Sequence, residues 1–160
     1  MSTEQPADVT EAEVVIDEGR LTVEDLDGGG SAVAARAAAG APWLLAADNI
    51  VILVSASDAL LHYPSVRVES WDHPAPRPPD GAWTDTGQTS LQLSGGTVAI
   101  LPFSGGAVAG DPLPVGPPGR YAVRAHRTGG DTLDALLTDD PDAVPHGIER
   151  FLLQFWPLRQ

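Results

Sequence analysis

Apolar and polar residues alternate with a period of two along most of the chain, the spacing at which side chains fall on opposite faces of a β-strand. In EVVIDEGRLTVED, Val14 and Ile16, then Leu21 and Val23, flank Glu18-Gly19, which predicts a hairpin closed at that pair. PSVRVESW puts Val66 and Val68 inward and Arg67 and Glu69 outward. TSLQLS and GTVAIL, joined through Gly95-Gly96, predict a second hairpin with Leu91 and Leu93 against Val98 and Ile100. GRYAVRAHR, from Gly119, is a further alternating strand. Two runs are apolar on both sides instead: NIVILVS, Asn49 to Ser55, and ERFLLQFWP, where Phe151, Leu153 and Phe155 oppose Leu152 and Trp156. Such runs belong to strands buried on both faces.

Helical signals are few. SAVAARAAAG, Ser31 to Gly40, has the alanine-rich composition of a short helix ended by glycine, and Thr132 to Leu137 allows one more helical turn. DHPAPRPPDG, Asp72 to Gly81, carries four prolines, so it can neither pair in a sheet nor continue a helix. It predicts an extended surface loop bracketed by Trp71 and Trp83. SGGAVAGDPLPVGPPG reads as turns up to Gly119. About eight strands, one short helix and no αβ alternation predict an all-β fold, mainly an antiparallel β-sandwich. Residues 1–11 read as a disordered acidic tail and residues 12–160 as a single sandwich domain.

Composition narrows the chemistry. The net charge is −13, from 22 acidic residues and 9 arginines, and residues 1–30 hold nine acids against Arg20 alone. Such a field repels phosphate backbones, so no nucleic-acid partner is expected. The chain lacks lysine, which removes Schiff-base chemistry and the Walker lysine, and lacks cysteine, which removes thiol catalysis and thiolate metal sites. The most apolar region, Ala41 to Leu61, is broken by Asp48, Asn49 and Asp58; it falls short of the ~20 uninterrupted apolar residues of a membrane span and reads as core. MSTEQPADVTEAE has neither the basic start nor the apolar run of a secretory signal, which predicts a cytoplasmic protein.

The candidate sites each have a plain structural reading beside the functional one. Arg120, Arg124 and His126 share a strand face at about 7 Å per two residues, a solvated row with Glu149 as an ion-pair partner, or else an anion site. Trp71, Asp72, His73 and Trp83 frame the proline loop, where tryptophan faces either plug the end of a sandwich or stack on a ligand such as a sugar. His126, His146 and Glu149 have no metal-ligand spacing, and no G-x-S-x-G elbow surrounds any serine, so no metal, cofactor or catalytic residue is assigned. DGGGSAV lacks the third small residue of a dinucleotide loop, and Asp139, Asp140 and Asp142 lack calcium-loop spacing.

VESWDHPAPRPPDGAW, PPGRYAVRAHRTG and ERFLLQFWP resemble a small uncharacterised actinobacterial β-rich family with GRYxVR and ExxLLQxWP motifs. The late Pro118-Gly119-x-Tyr121 step also looks distantly like the competence protein J type of nuclease inhibitor. That likeness, with the acidic charge, implies a non-enzymatic inhibitor or immunity-like protein that captures a basic protein, a nuclease or toxin. The alternatives are a small-molecule or carbohydrate-binding module using Trp71 and Trp83, and a hydrolase with a histidine-carboxylate site. The sequence leaves the oligomeric state open.

Overall fold

The computed structural model describes residues 4–158. Along them run β1 (Asp8–Glu13), β2 (Arg20–Asp25), a 3-10 turn (Ala32–Ala34), β3 (Arg36–Ala38), β4 (Ala41–Ala47), β5 (Ile50–Val54), β6 (Tyr63–Ser70), β7 (Asp85–Leu93), β8 (Thr97–Pro102), β9 (Ala109–Pro114), β10 (Gly119–Thr128), α1 (Gly130–Asp139) and β11 (His146–Pro157). The first sheet has the order β1-β6-β11-β10-β7 and the second β3-β4-β5-β2-β8-β9. All neighbours are antiparallel except β6 and β11. With 51% strand and 8% helix, the chain is all-β as predicted.

One core lies between the sheets, formed by the inward rows Val66 and Val68, Leu91 and Leu93, Tyr121, Val123 and Ala125, and Phe151, Leu153 and Phe155 against Leu21, Val23, Leu44, Val51, Leu53, Val98 and Ile100. β11 is the middle strand of its sheet, and its second row, Leu152 and Trp156, is also buried. The C-terminal apolar run therefore occupies the place its two-sided pattern predicts.

Several local predictions need correction. The first predicted turn forms, with Asp17 and Arg20 bridging across Glu18-Gly19, but neither predicted hairpin continues as a paired ladder: both connections cross between the sheets. After β1 the amides of Val14 and Ile16 bond to Pro64 and His62 carbonyls, so this segment stays on the first sheet. The chain then turns at Glu18 and Gly19, both left-handed (φ 53° and 75°), and enters the second sheet as β2. Leu91 and Leu93 likewise lie on β7 of the first sheet, and Val98 and Ile100 on β8 of the second. The period-two pattern marks which side chains enter the core, and it is the same whether two strands pair edge to edge or face each other across it. Asp25 secures the second crossover by accepting the amides of Gly95 and Gly96, each at 2.9 Å. Its burial alone raises the pKa, but these amides and those of Asp27 and Gly28 outweigh burial and lower it.

Ser31 to Gly40 is not a helix: it holds the 3-10 turn and edge strand β3, paired with a bulge to β4. Nine or so alanine-rich residues are too few for an autonomous helix and carry no large apolar stripe to dock one. The predicted single turn at Thr132 to Leu137 is the ten-residue helix α1, anchored by fully buried Leu133. Ala109–Pro114, read as turns, forms edge strand β9, where proline is tolerated. β1 begins at Asp8, so Asp8 to Glu11 of the predicted tail are strand; residues 1–3 lie outside the described residues. Tyr121 donates to the Pro117 carbonyl at 2.6 Å, an arrangement of the tyrosine-corner kind. Gly116 packs against that hydroxyl, leaving no room for a side chain.

Candidate functional site

Most residues singled out in the sequence lie on or near the outer face of the first sheet, and the structure reverses the predicted exposure of Arg124 and His126. Arg124 and His126 are 6% and 2% exposed, where a solvated face was expected. The proline loop folds back across this face. Ala75 is buried, and its carbonyl accepts from Arg124 Nη1 at 2.9 Å. The guanidinium lies 4.9 Å from the Trp156 ring centre, while its Nε has no hydrogen-bond partner among the described residues. Burial, and then the charge of Arg77, lower the Arg124 pKa. Arg120 alone matches the expectation, exposed and donating to Ser90 Oγ at 2.9 Å.

His126 belongs to a chain of buried hydrogen bonds. Gln154 Nε2 donates to Glu69 Oε1 at 3.1 Å, which orients the amide so that Gln154 Oε1 accepts from His126 Nε2 at 3.2 Å. In the neutral ring, Nδ1 then accepts from the Thr86 hydroxyl at 2.8 Å. Burial is the largest influence and lowers the His126 pKa, with Arg124 and Arg77 acting in the same sense. Glu69, predicted to face water, is buried: desolvation favours its protonated form, but donors from Arg67, Gln154 and Trp71 prevail and lower its pKa.

Trp71 is 5% exposed and gives its Nε1–H to Glu69 at 2.9 Å, so it is a structural ring and not a ligand platform. Asp72 and His73 are exposed and lie apart, His73 facing Glu4 at 3.5 Å. Trp83 is partly buried, 5.7 Å from the His126 ring, with Arg150 on it at 5.2 Å. Trp83, His126, Thr86, Arg77, Pro78 and Asp80 line a cleft of about 170 Å³.

The imagined trio His126, His146 and Glu149 does not converge. His146 stacks on Tyr63 at 4.5 Å and pairs with Glu13 at 2.8 Å. Among the described residues, no group of three or more His, Asp or Glu is arranged to hold a metal. Glu149 pairs with no arginine of the outer face. Fully buried, it accepts from Ser55 Oγ at 2.6 Å and from the Ala56 amide at 2.8 Å. His62, 1% exposed, places Nε2 3.4 Å from Ser55 Oγ. Burial raises the Glu149 pKa and lowers that of His62. The Ser55 hydroxyl gives its proton to Glu149 and receives the Ser57 amide at 3.1 Å, so it is committed to holding the chain. Ser57 in turn donates to Asp134 of α1 at 2.5 Å and receives the Ala59 amide.

This polar network pins a loop that sequence reasoning missed. On it, Leu60 and Leu61 are 94% and 47% exposed. With Val144, Leu137 and Pro141 they line a hollow of about 350 Å³. Asp58, Asp131, Asp134, Asp139, Asp140 and Asp142 are exposed on the same loop, on α1 and on the segment after it, and no arginine lies between Thr128 and Glu149. Arg20, beside a neighbouring hollow, is turned onto the Phe103 ring at 5.1 Å. The signal was the short SDALLH stretch: a strand that began at Ile50 has run its usual length by Val54, so Leu60 and Leu61 need not be core.

No protein-family model and no curated protein matches the chain. Solved structures do share its fold over nearly its full length. The protein described as Crocagin biosynthetic gene J is 17% identical, with 95% of this chain and 98% of that one covered and a TM-score of 0.61. ComJ from Bacillus subtilis, inhibitor of the DNA degrading activity of NucA, is 9% identical, with 98% and 100% covered and a TM-score of 0.57. At such identities the likeness establishes a common fold, including that of the ComJ type noted in the sequence.

Proposed function

We propose that the protein is a non-enzymatic, inhibitor-like cytoplasmic protein that captures a basic protein partner through the acidic end of the sandwich. The observation that carries this reading is Leu60, 94% exposed beside Leu61 on a loop fixed by buried Ser55, His62 and Glu149 and surrounded by aspartates. Exposed leucines on a pinned loop lose little entropy on binding. The aspartates accelerate encounter with a cationic surface, and the desolvated leucines then hold the complex. ComJ, of the same fold, is an inhibitor of a nuclease activity, and nucleases that grip DNA present cationic surfaces. The proline loop between Trp71 and Trp83 is the poorer candidate for this contact, because Trp71 is buried.

The test is retrieval of the partner from host lysate, its identification, and binding kinetics with purified proteins. Leu60→Ala with Leu61→Ala should raise the dissociation rate about 30-fold, as for an anchor worth about 2 kcal/mol, with little change in association. Asp139→Asn with Asp140→Asn and Asp142→Asn should slow association, and added salt should do the same to the parent protein. Unchanged dissociation in the leucine variant would move the interface elsewhere. A partner without basic character would overturn the charge reading.

A further inference from the structure

We infer that the free edge of β7 is a self-association surface, on which Thr86 to Ser90 of one molecule pair antiparallel with the same residues of a second copy. This surface is separate from the acidic end and does not depend on it.

The two sheets end in four edge strands, β1, β7, β3 and β9, and three of them carry features that discourage pairing. β1 holds Asp8, Glu11 and Glu13 in six residues. β3 is three residues long and bulged against β4, and β9 contains Pro112 and Pro114 and is bulged against β8. β7 has none of these features. It runs nine residues in unbroken register with β10, contains no proline, and has no ionisable side chain after Asp85.

The direction of its backbone groups can be read at its end. At Gln92 the amide meets Asp48 Oδ1 at 3.4 Å and the carbonyl accepts from the Asn49 amide at 2.8 Å, so both point away from β10. Backbone groups alternate sides along an antiparallel strand, so those of Thr86, Gln88 and Ser90 also point outward. Among the described residues, β7 pairs with β10 alone. Thr86, Gln88 and Ser90 are exposed, and Thr89 is only half-buried although its row, with Gly87 and Leu91, faces the core. The second sheet therefore does not seal this edge. The Asp48-Asn49 turn covers it at Gln92 and Ser94, which bounds the open stretch at Ser90.

Charge selects the occupant. The net charge is −13, so a second copy is repelled along most approaches, while a cationic partner is drawn to carboxylates. From Thr86 to Leu93 the strand neither attracts a cation nor repels a copy. A two-fold axis at Gln88 sets the Gln88 residues of the two copies opposite each other, and Thr86 of each opposite Ser90 of the other. Every outward amide and carbonyl of the three residues then has a partner, about six hydrogen bonds in all, and the symmetry closes at two copies. Across the axis only uncharged side chains meet, glutamine with glutamine and threonine with serine. The two Asp85 carboxylates fall about 20 Å apart along the strands, beyond the screening length of about 8 Å at physiological salt. Each is already paired with Arg127 of its own chain.

Sedimentation equilibrium of the full chain from about 10 µM to 1 mM at physiological salt reads the association directly. A strand pair this short buries little surface, so a reversible dimer with a dissociation constant of about 100 µM is expected. Gln88→Pro removes the outward amide at the axis, and proline is tolerated on an edge whose N–H faces solvent. The dimer should weaken about tenfold or more. Gln88→Lys, at an exposed position, sets like charges across the axis and should weaken it too, with partial recovery in added salt. In the parent protein, hydrogen exchange at the Thr86, Gln88 and Ser90 amides should slow as concentration rises. Leu60→Ala with Leu61→Ala should dimerise as the parent does. The inference is overturned if the chain stays monomeric to 1 mM or forms larger oligomers, or if either folded Gln88 variant dimerises as the parent does. It is equally overturned if the three amides exchange at one rate throughout, or if the leucine variant abolishes the dimer.

Discussion

The outer face of the first sheet and the acidic end of the sandwich are built in opposite ways from similar materials. The outer face holds arginines, tryptophans and a histidine, the residue types that suggest a site, and it covers most of them with a proline loop. The acidic end leaves two leucines in water and hides its polar machinery, Glu149, His62 and Ser55, beneath them. Residue type therefore identifies neither surface. Each is defined by what packs against it: a loop lies over one and shuts charge away, and a buried network beneath the other pins the loop that carries the exposed leucines. The covered face keeps a cleft of about 170 Å³ beside Trp83, and the open end leaves Leu60 and Leu61 exposed.

The largest effect should come from cutting the network under the leucines. Glu149→Ala leaves the buried Ser55 hydroxyl and Ala56 amide without their acceptor, at about 1–3 kcal/mol each. Chemical denaturation should show a loss of about 3 kcal/mol or more, whereas Glu149→Gln, which retains an acceptor, should lose clearly less. The amide shifts of the Trp83 cleft should stay in place in Glu149→Gln. If they move together with those of Leu60, the two regions are one unit and the contrast between them fails.

Next in size is Arg124. Truncation to alanine removes the stem packed on Trp156 and strands the Ala75 carbonyl, a loss of about 2–3 kcal/mol where an exposed arginine would cost about 0–1. Arg124→Met keeps the stem and relieves a buried unpaired charge, so it should cost under about 1 kcal/mol or stabilise the protein. Equal losses for alanine and methionine would show that the charge is satisfied in solution. By contrast, Leu60→Ala should change stability by less than about 0.5 kcal/mol, because an exposed side chain has no core contact to lose. A larger loss would mean that this leucine packs inward.

The inward rows could be read from the sequence because burial imposes a period of two on each strand. Val66, Val68, Phe151, Leu153 and Phe155 all enter the core as that period requires. Partners could not be read the same way. Leu91 and Val98 face each other in either a hairpin or a sandwich, and only the connection distinguishes the two. The outer face failed for a related reason. Alternation of Arg120, Arg124 and His126 with apolar neighbours marks a second face, but a loop more than forty residues away in sequence decides whether that face is wet, through the bond from Arg124 to Ala75. Leu60 and Leu61 were lost inside a longer apolar run, since hydrophobicity alone does not reveal where a strand ends.

The smallest expected effect is in pH, where the two regions differ in sign structure. On the outer face, burial lowers the His126 pKa, and hydrogen bonds from Arg67, Gln154 and Trp71 bring Glu69 below its ordinary value despite burial. Both groups bind protons less readily when folded. The histidine contribution is fully present above the unfolded value of about 6.5 and is lost as pH falls through the folded pKa; Glu69 adds a loss of the same sign at lower pH, below about 4.3. At the acidic end the signs oppose. His62 behaves as His126 does, but burial raises Glu149, so its contribution is present below about 4.3 and is lost as pH rises through its folded pKa. Stability measured by urea unfolding should therefore fall on acidification from pH 7, and His126→Gln should flatten that limb. Glu149→Gln should steepen it, because the one group that gains from acid is gone. A slope unchanged by His126→Gln would mean that the imidazole is not held neutral beneath the proline loop, and the covered face would then be no more closed than the acidic end.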